Sequence, residues 1–130
     1  MESKNTLSRA TILLIEDDKA LCTALYKHLS RKYAVTCAHD ADSASSSFSE
    51  TQFDLILMDI HFGGDINGFD VIKQLRSMER YNETPVIVTT ALAMPYDERE
   101  YIEKGFTRLL AKPFSLNQLS ESVEEILTKI

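Results

Sequence analysis

Four short apolar runs in the chain lead into residues that can do chemistry. ILLI (12–15) runs into Glu16, Asp17 and Asp18, LILM (55–58) into Asp59, VIVT (86–89) into Thr90, and LLA (109–111) into Lys112 and Pro113. Two like charges brought to ~4 Å at an effective dielectric near 20 cost on the order of 4 kcal/mol, so gathering these carboxylates demands positive charge. Lys112 offers one fixed cation, and a hard divalent ion with oxygen ligands, Mg²⁺ foremost, offers the rest. Because Mg²⁺ keeps several waters and takes one or two carboxylates plus phosphate oxygens, the set reads as a place where a metal and a phosphoryl group meet. A carboxylate can itself accept the phosphoryl group as an acyl phosphate, whose oxygens the metal, Lys112, the Thr90 hydroxyl and loop amides would neutralise. Singly, each residue has a duller meaning: an acid after a strand is often a helix cap, as expected of Asp18, and a lone Asp59 is usually a solvated loop carboxylate. Their joint placement behind four separate runs carries the functional reading.

The elements that must position them follow from the pattern. Apolar runs too brief for helices alternate with longer stretches of helical spacing, the signature of a parallel α/β sheet. The spacing predicts strands at Thr11–Ile15, Tyr33–Ala38, Asp54–Met58, Pro85–Thr89 and Thr107–Ala111. Three are oily almost throughout, as strands covered on both faces should be. Asp18 caps a predicted helix carrying Leu21, Leu25 and Leu29, closed by the positive charge of Lys32. Ala41, Ala44 and Phe48 trace one face of a Ser-rich helix, and FDVIKQLRSM (69–78) has a helical pattern. Pro95 suits the first turn of a helix through DEREYIEK, and Gly105 suits the position just past its end. Ser115 and Gln118 match a capping box ahead of one apolar stripe, Leu116, Leu119, Val123, Ile126, Leu127 and Ile130. In open parallel sheets the reactive crevice lies outside the carboxyl ends of the strands, where all of these acids fall.

Composition narrows the function classes. At 130 residues, 44% apolar and 26% charged, the chain has the length and core of one globular domain, with residues 1–9 as a loose tail and 10–130 as the folded unit. The net charge of −6, with Arg31-Lys32 as the largest basic cluster, lacks the electrostatic footprint of direct nucleic-acid binding. No apolar run approaches the roughly 18 residues of a membrane span, and MESKNTLSR is unlike a signal peptide, so a cytoplasmic protein is expected. Cys22 and Cys37 fit no metal spacing and read as buried reduced thiols. His28 and His39 read as surface residues.

These motifs, in this order, resemble the receiver domain of two-component response regulators over residues 10–130. ILLIEDD resembles the family's first strand and acidic pair, LILMDI its phosphoacceptor strand, VIVTTA its switch-hydroxyl strand and LLAKPF its lysine strand. The resemblance implies a flavodoxin-like, doubly wound sheet of five parallel strands in the order 2-1-3-4-5 with five helices, a three-layer α/β/α fold. It implies that Asp59 accepts phosphate, that Asp17 and Asp59 bind Mg²⁺ directly, that Glu16 acts through water, and that the backbone carbonyl of His61 completes the protein ligands. Thr90, followed by Ala91, is implied as the switch hydroxyl, Lys112 as the phosphoryl-contacting cation, and Lys112-Pro113 as a cis peptide. The implied donor is a sensor histidine kinase or histidine phosphotransfer protein, docking on the first helix and the loop after the fifth strand, with Ala20, Leu21 and Phe114 as candidates. Output to an effector, or a phosphorylation-dependent homodimer, would use residues 95–130.

Two departures stand out. Gly68 comes nine residues after Asp59, one more than is usual, and Gly63-Gly64 replaces a common proline. Leu109 stands three before the lysine, where many members have a Tyr or Phe that swings inward. Tyr101 and Phe106 read as ordinary packing residues, and the imidazole of His61 borders the phosphoryl site. Other readings compete less well. An aspartyl phosphohydrolase lacks its Asp-x-Asp at Asp59-Ile60-His61. A GGD cyclase needs a hairpin where a helix follows. A flavodoxin-like cofactor binder would place EDDK against a phosphate. A receiver excised from a hybrid kinase or a DNA-binding regulator remains an alternative form of the main reading.

Overall fold

Five parallel strands form one sheet in the computed structural model, which describes residues 9–61, 66–91 and 97–128. They are β1 (Thr11–Ile15), β2 (Ala34–Ala38), β3 (Leu55–Asp59), β4 (Val86–Thr90) and β5 (Arg108–Ala111), in the spatial order β2-β1-β3-β4-β5. The helices between them are α1 (Lys19–Leu29), α2 (Ala41–Glu50), α3 (Gly68–Ser77), α4 (Asp97–Glu103) and α5 (Leu116–Thr128), with a short 3-10 turn at Glu79–Tyr81. No helix among the described residues is long and apolar enough to cross a membrane.

Alternation along β1 divides the core. Leu13 and Ile15 join Ala44, Phe48, Ile72, Leu75 and Tyr81 on one face, while Ile12 and Leu14 join Leu25, Leu29, Leu119 and Val123 on the other. Helices α2 and α3 thus cover one side and α1 and α5 the other, which gives the three layers and leaves β3 and β4 buried at every position. A parallel strand needs such two-sided cover because its connections run across both faces.

The strand ends are set by backbone pairing that apolar patterning cannot see. β3 and β4 each run one residue beyond the predicted strands, taking in Asp59 and Thr90, because Asp59 stays in register with Thr89 and Thr90 with Ala111. The ladder continues through the Ile60 amide to the Thr89 carbonyl (3.0 Å) and the Lys112 amide to the Thr90 carbonyl (2.8 Å). The key residues are therefore fixed by the sheet rather than by loops.

Local signals behave as their chemistry requires. Asp18 caps α1 through the Leu21 amide, and Ser115 and Gln118 exchange capping bonds of 3.0 and 2.8 Å at the start of α5. Gly105 takes a φ of 114° just past α4, a conformation open to glycine at little cost. Pro95, Gly63, Gly64 and Ile130 lie outside the described residues. Two expectations are corrected. Lys32 sits three residues past the end of α1 and pairs instead with Glu124 of α5 at 3.4 Å. Leu116 is 42% exposed, because it opens α5 before the helix settles on the sheet, so the stripe begins at Leu119. Cys22 is buried and Cys37 half-buried, both free thiols, and burial followed by the neighbouring Cys37 pushes Cys22 up to about 12.

Candidate functional site

The carboxyl edge of the sheet gathers Glu16 after β1, Asp59 at the end of β3, Thr90 at the end of β4 and Lys112 after β5. Glu16 is 2% exposed, Asp59 8% and Thr90 1%, while Asp17 stands in solvent at the rim. The Lys112 ammonium reaches both buried acids, 3.2 Å to Glu16 Oε1 and 3.3 Å to Asp59 Oδ2. The His61 amide donates to Asp59 Oδ1 at 3.2 Å and the Asp18 amide to Glu16 Oε2 at 3.1 Å, so every oxygen of the two buried acids has a partner. Lys112-Pro113 is cis, as the sequence reading expects.

Charge defines what this pocket can hold. Oxygens of Glu16, Asp17 and Asp59 lie within 4.8 Å of one another, and among the described residues the ammonium of Lys112 is the one cation paired with them. Among the described residues two negative charges remain uncompensated at a site where both inner acids are buried, which suits a divalent cation with oxygen ligands. The protonation preferences agree. Burial raises Glu16 above the usual carboxylate range, with the charge of Asp59 adding to it and the Asp18 amide and Lys112 only partly opposing. Burial works to lower Lys112, but the charges of Glu16 and Asp59 outweigh it and hold the ammonium above its ordinary value.

The remaining predicted residues fall around this centre. Ala91 and Lys112 line a cleft of about 370 Å³ with Leu21, Pro113 and Phe114, so two of the three docking candidates open onto the site, and Ala20 does not line it. Gly68 closes the loop after Asp59 by packing on Ile60, where a Cβ would sit 2.8 Å from Ile60 Cδ1 and 3.0 Å from its Cα. Leu109 is half-buried on β5 against the core, and Tyr101 stacks on Phe69 (centroids 5.4 Å) and meets Phe106 edge-on, in line with its reading as a packing residue.

One residue near the site escaped the sequence reading. His39, at the end of β2, is exposed, but its Nδ1 lies 3.0 Å from the backbone carbonyl of Glu16. The sole signal for it is the parallel register, Ile15 beside Ala38, which puts the residues after β1 and β2 side by side. His28, also read as a surface residue, is half-buried and pairs with Ser120 of α5.

Comparison with known proteins decides the family. The family model of the response regulator receiver domain matches residues 12–124. The chain belongs to that family. Among relatives of this receiver domain, regulatory protein VanRB of Enterococcus faecalis is 29% identical over 91% of this chain and 52% of its own length. The transcriptional activator protein PfeR of Pseudomonas aeruginosa is 32% identical over 92% of this chain and 38% of its own. The chain thus spans about half or less of the length of these curated relatives. The solved chemotaxis response regulator CheY4 of Vibrio cholerae superposes with a TM-score of 0.84 at 25% identity, covering 92% of this chain and 99% of that one. The chain is a receiver domain of the two-component type, a signalling domain with an acidic cluster that could hold a metal.

Proposed function

We propose that Asp59 accepts a phosphoryl group from a phosphohistidine and that the resulting charge resets the surface this receiver domain offers to partners. The observation that carries the proposal is the pairing at Asp59: a nearly buried carboxylate held by Lys112 on one oxygen and the His61 amide on the other, in an acidic pocket with two uncompensated negative charges. An Asp59 oxygen attacks phosphorus, the P–N bond to the donor imidazole breaks, and the imidazole keeps that electron pair, leaving an acyl phosphate on Asp59. Mg²⁺, when bound, neutralises phosphoryl oxygens. Asp17 and Asp59 would ligate it directly, Glu16 would act through water, and the His61 carbonyl would complete the protein's ligands. Lys112 is poised to follow the charge from carboxylate to phosphoryl group, with Thr90 as the switch hydroxyl and Ala91 beside it. The domain catalyses its own phosphorylation and hydrolysis, and turns over no small substrate.

The partners follow from the same reading. The donor is a sensor histidine kinase or histidine phosphotransfer protein that docks over the cleft of Leu21, Pro113 and Phe114. An effector protein or domain, or a second phosphorylated copy, reads residues 95–130. With Leu109 in place of an aromatic, the change reaches that face without a swinging ring. Residues 10–130 form the receiver unit, acting in the cytoplasm without binding nucleic acid itself. Incubation with acetyl phosphate tests the core of the proposal: the intact mass should rise by one phosphoryl group with Mg²⁺ and stay unchanged in EDTA. A mass that stays unchanged in both defeats it. Lys112→Ala should keep most Mg²⁺ affinity yet lose the amide spectral change that follows phosphorylation; an identical change in both proteins would remove Lys112 from the switch.

A further inference from the structure

The three acids of the pocket are not held alike. Glu16 is fixed by Lys112 and the Asp18 amide, and Asp59 by Lys112 and the His61 amide. Asp17 is exposed, and among the described residues its carboxylate has no ion pair or hydrogen bond. Its place therefore depends on the backbone that delivers it. A peptide unit is planar, so the orientation of the Glu16 carbonyl fixes the amide and Cα of Asp17. That carbonyl accepts the His39 Nδ1–H at 3.0 Å, while the Glu16 amide on the other side of the residue donates to the Ala38 carbonyl at 3.0 Å. A carbonyl oxygen only accepts, so the proton sits on Nδ1. Both sides of Glu16 are thus tied to the end of β2, the first by the ordinary strand ladder and the second by a side chain.

We propose that His39 is a positioning residue for the metal site, clamping the Glu16–Asp17 peptide so that the otherwise unheld Asp17 carboxylate stands ready to bind a divalent cation. This rests on the reading of Glu16, Asp17 and Asp59 as the cation-binding acids. The clamp lowers the cost of ordering Asp17 when the ion arrives, the usual gain from a preorganised ligand. It acts on binding rather than on the nucleophile, since among the described residues His39 has no hydrogen bond or ion pair with Asp59.

Calorimetric titration of the full chain with MgCl₂ alone tests it, alongside melting in EDTA. Loss of one hydrogen bond's worth of preorganisation should weaken Mg²⁺ binding about three- to tenfold in His39→Ala. In acetyl phosphate labelling, the same variant should need correspondingly more Mg²⁺ for half-maximal rate and reach the wild-type maximum. His39→Asn places an amide N–H where Nδ1 stood and should restore affinity to within about twofold, whereas His39→Gln, whose amide lies where Nε2 stood, should not. An affinity in His39→Ala equal to wild type overturns the inference, and so does a deficit in His39→Ala that His39→Asn shares or that His39→Gln repairs. A wild-type chain that binds no Mg²⁺ overturns the metal-site reading itself, a different failure from a binding wild type with an unaltered variant.

Discussion

The two ends of the sheet treat polar groups in opposite ways. At the amino edge the charged groups and strand-end amides are largely matched from within the protein. The Asp54 carboxylate accepts from the Thr11 amide at 2.8 Å and its hydroxyl at 3.2 Å, and the Thr107 hydroxyl accepts from the Val86 amide at 3.0 Å. The half-buried Arg76 guanidinium donates twice to the Gly105 carbonyl and once to that of Tyr81, next to the foot of β5. At the carboxyl edge three acids gather within 4.8 Å of one another and the Lys112 ammonium pairs with two of them, Glu16 and Asp59. The first arrangement stabilises a fold. The second stores an electrostatic imbalance that a cation and a phosphoryl group can resolve, so charge left unmatched, rather than polarity or burial alone, marks the functional end.

Substitutions at both ends should break or sharpen this contrast. The largest effect on stability is expected at the amino edge. Arg76→Ala removes the donor of the Gly105 carbonyl and leaves that of Tyr81 only the Thr84 amide at 3.3 Å, and should cost about 2–4 kcal/mol in urea unfolding, while Mg²⁺ affinity stays at the wild-type value. At the carboxyl edge the sign should reverse. Asp59→Asn relieves like-charge repulsion, partly offset by the weakened Lys112 pairing, and should stabilise the metal-free protein by about 1 kcal/mol while removing most of the stabilisation that Mg²⁺ confers. A destabilised Asp59→Asn chain in EDTA would put the two ends on the same footing. Asp54→Ala should lose about 0.5–1.5 kcal/mol, with no dependence on Mg²⁺.

The smallest effect concerns Asp40, whose fully exposed carboxylate caps α2. The Ser43 amide and then its hydroxyl hold it below the usual carboxylate range. A lowered folded value means that its contribution is complete above the ordinary carboxylate range and fades as pH falls through the lowered value. Asp40→Asn should therefore be slightly less stable than wild type at neutral pH and converge with it as pH falls, which flattens the acid limb of its stability curve. Parallel acid limbs in the two proteins would show that the cap's charge contributes nothing.

Much of this was legible in the sequence because the relevant forces are local or periodic. Apolar runs located all five strands to within a residue, and short-range capping chemistry located the starts of α1 and α5. The site acids were legible because a parallel sheet delivers every strand end to one edge. What escaped has a long-range cause. Whether Asp59 and Thr90 lie in strands or loops depends on backbone pairing across the sheet, to which side-chain type is nearly silent. Lys32 found Glu124 on a helix remote in sequence, and Leu116 is apolar yet faces solvent because its helix had not reached the sheet. His39 looked idle because its partner is a backbone carbonyl, which no sequence motif records.

The most direct measurement of the central claim is chemical location of the acyl phosphate. Hydride reduction of the phosphorylated protein converts an acyl phosphate to the corresponding alcohol, which peptide mass mapping places by residue. The account predicts the alcohol at position 59 alone, formed only when Mg²⁺ was present during phosphorylation. Reduction at Asp17 or another carboxylate with Asp59 intact, or a phosphate that resists hydride because it sits on a hydroxyl or imidazole, would contradict it.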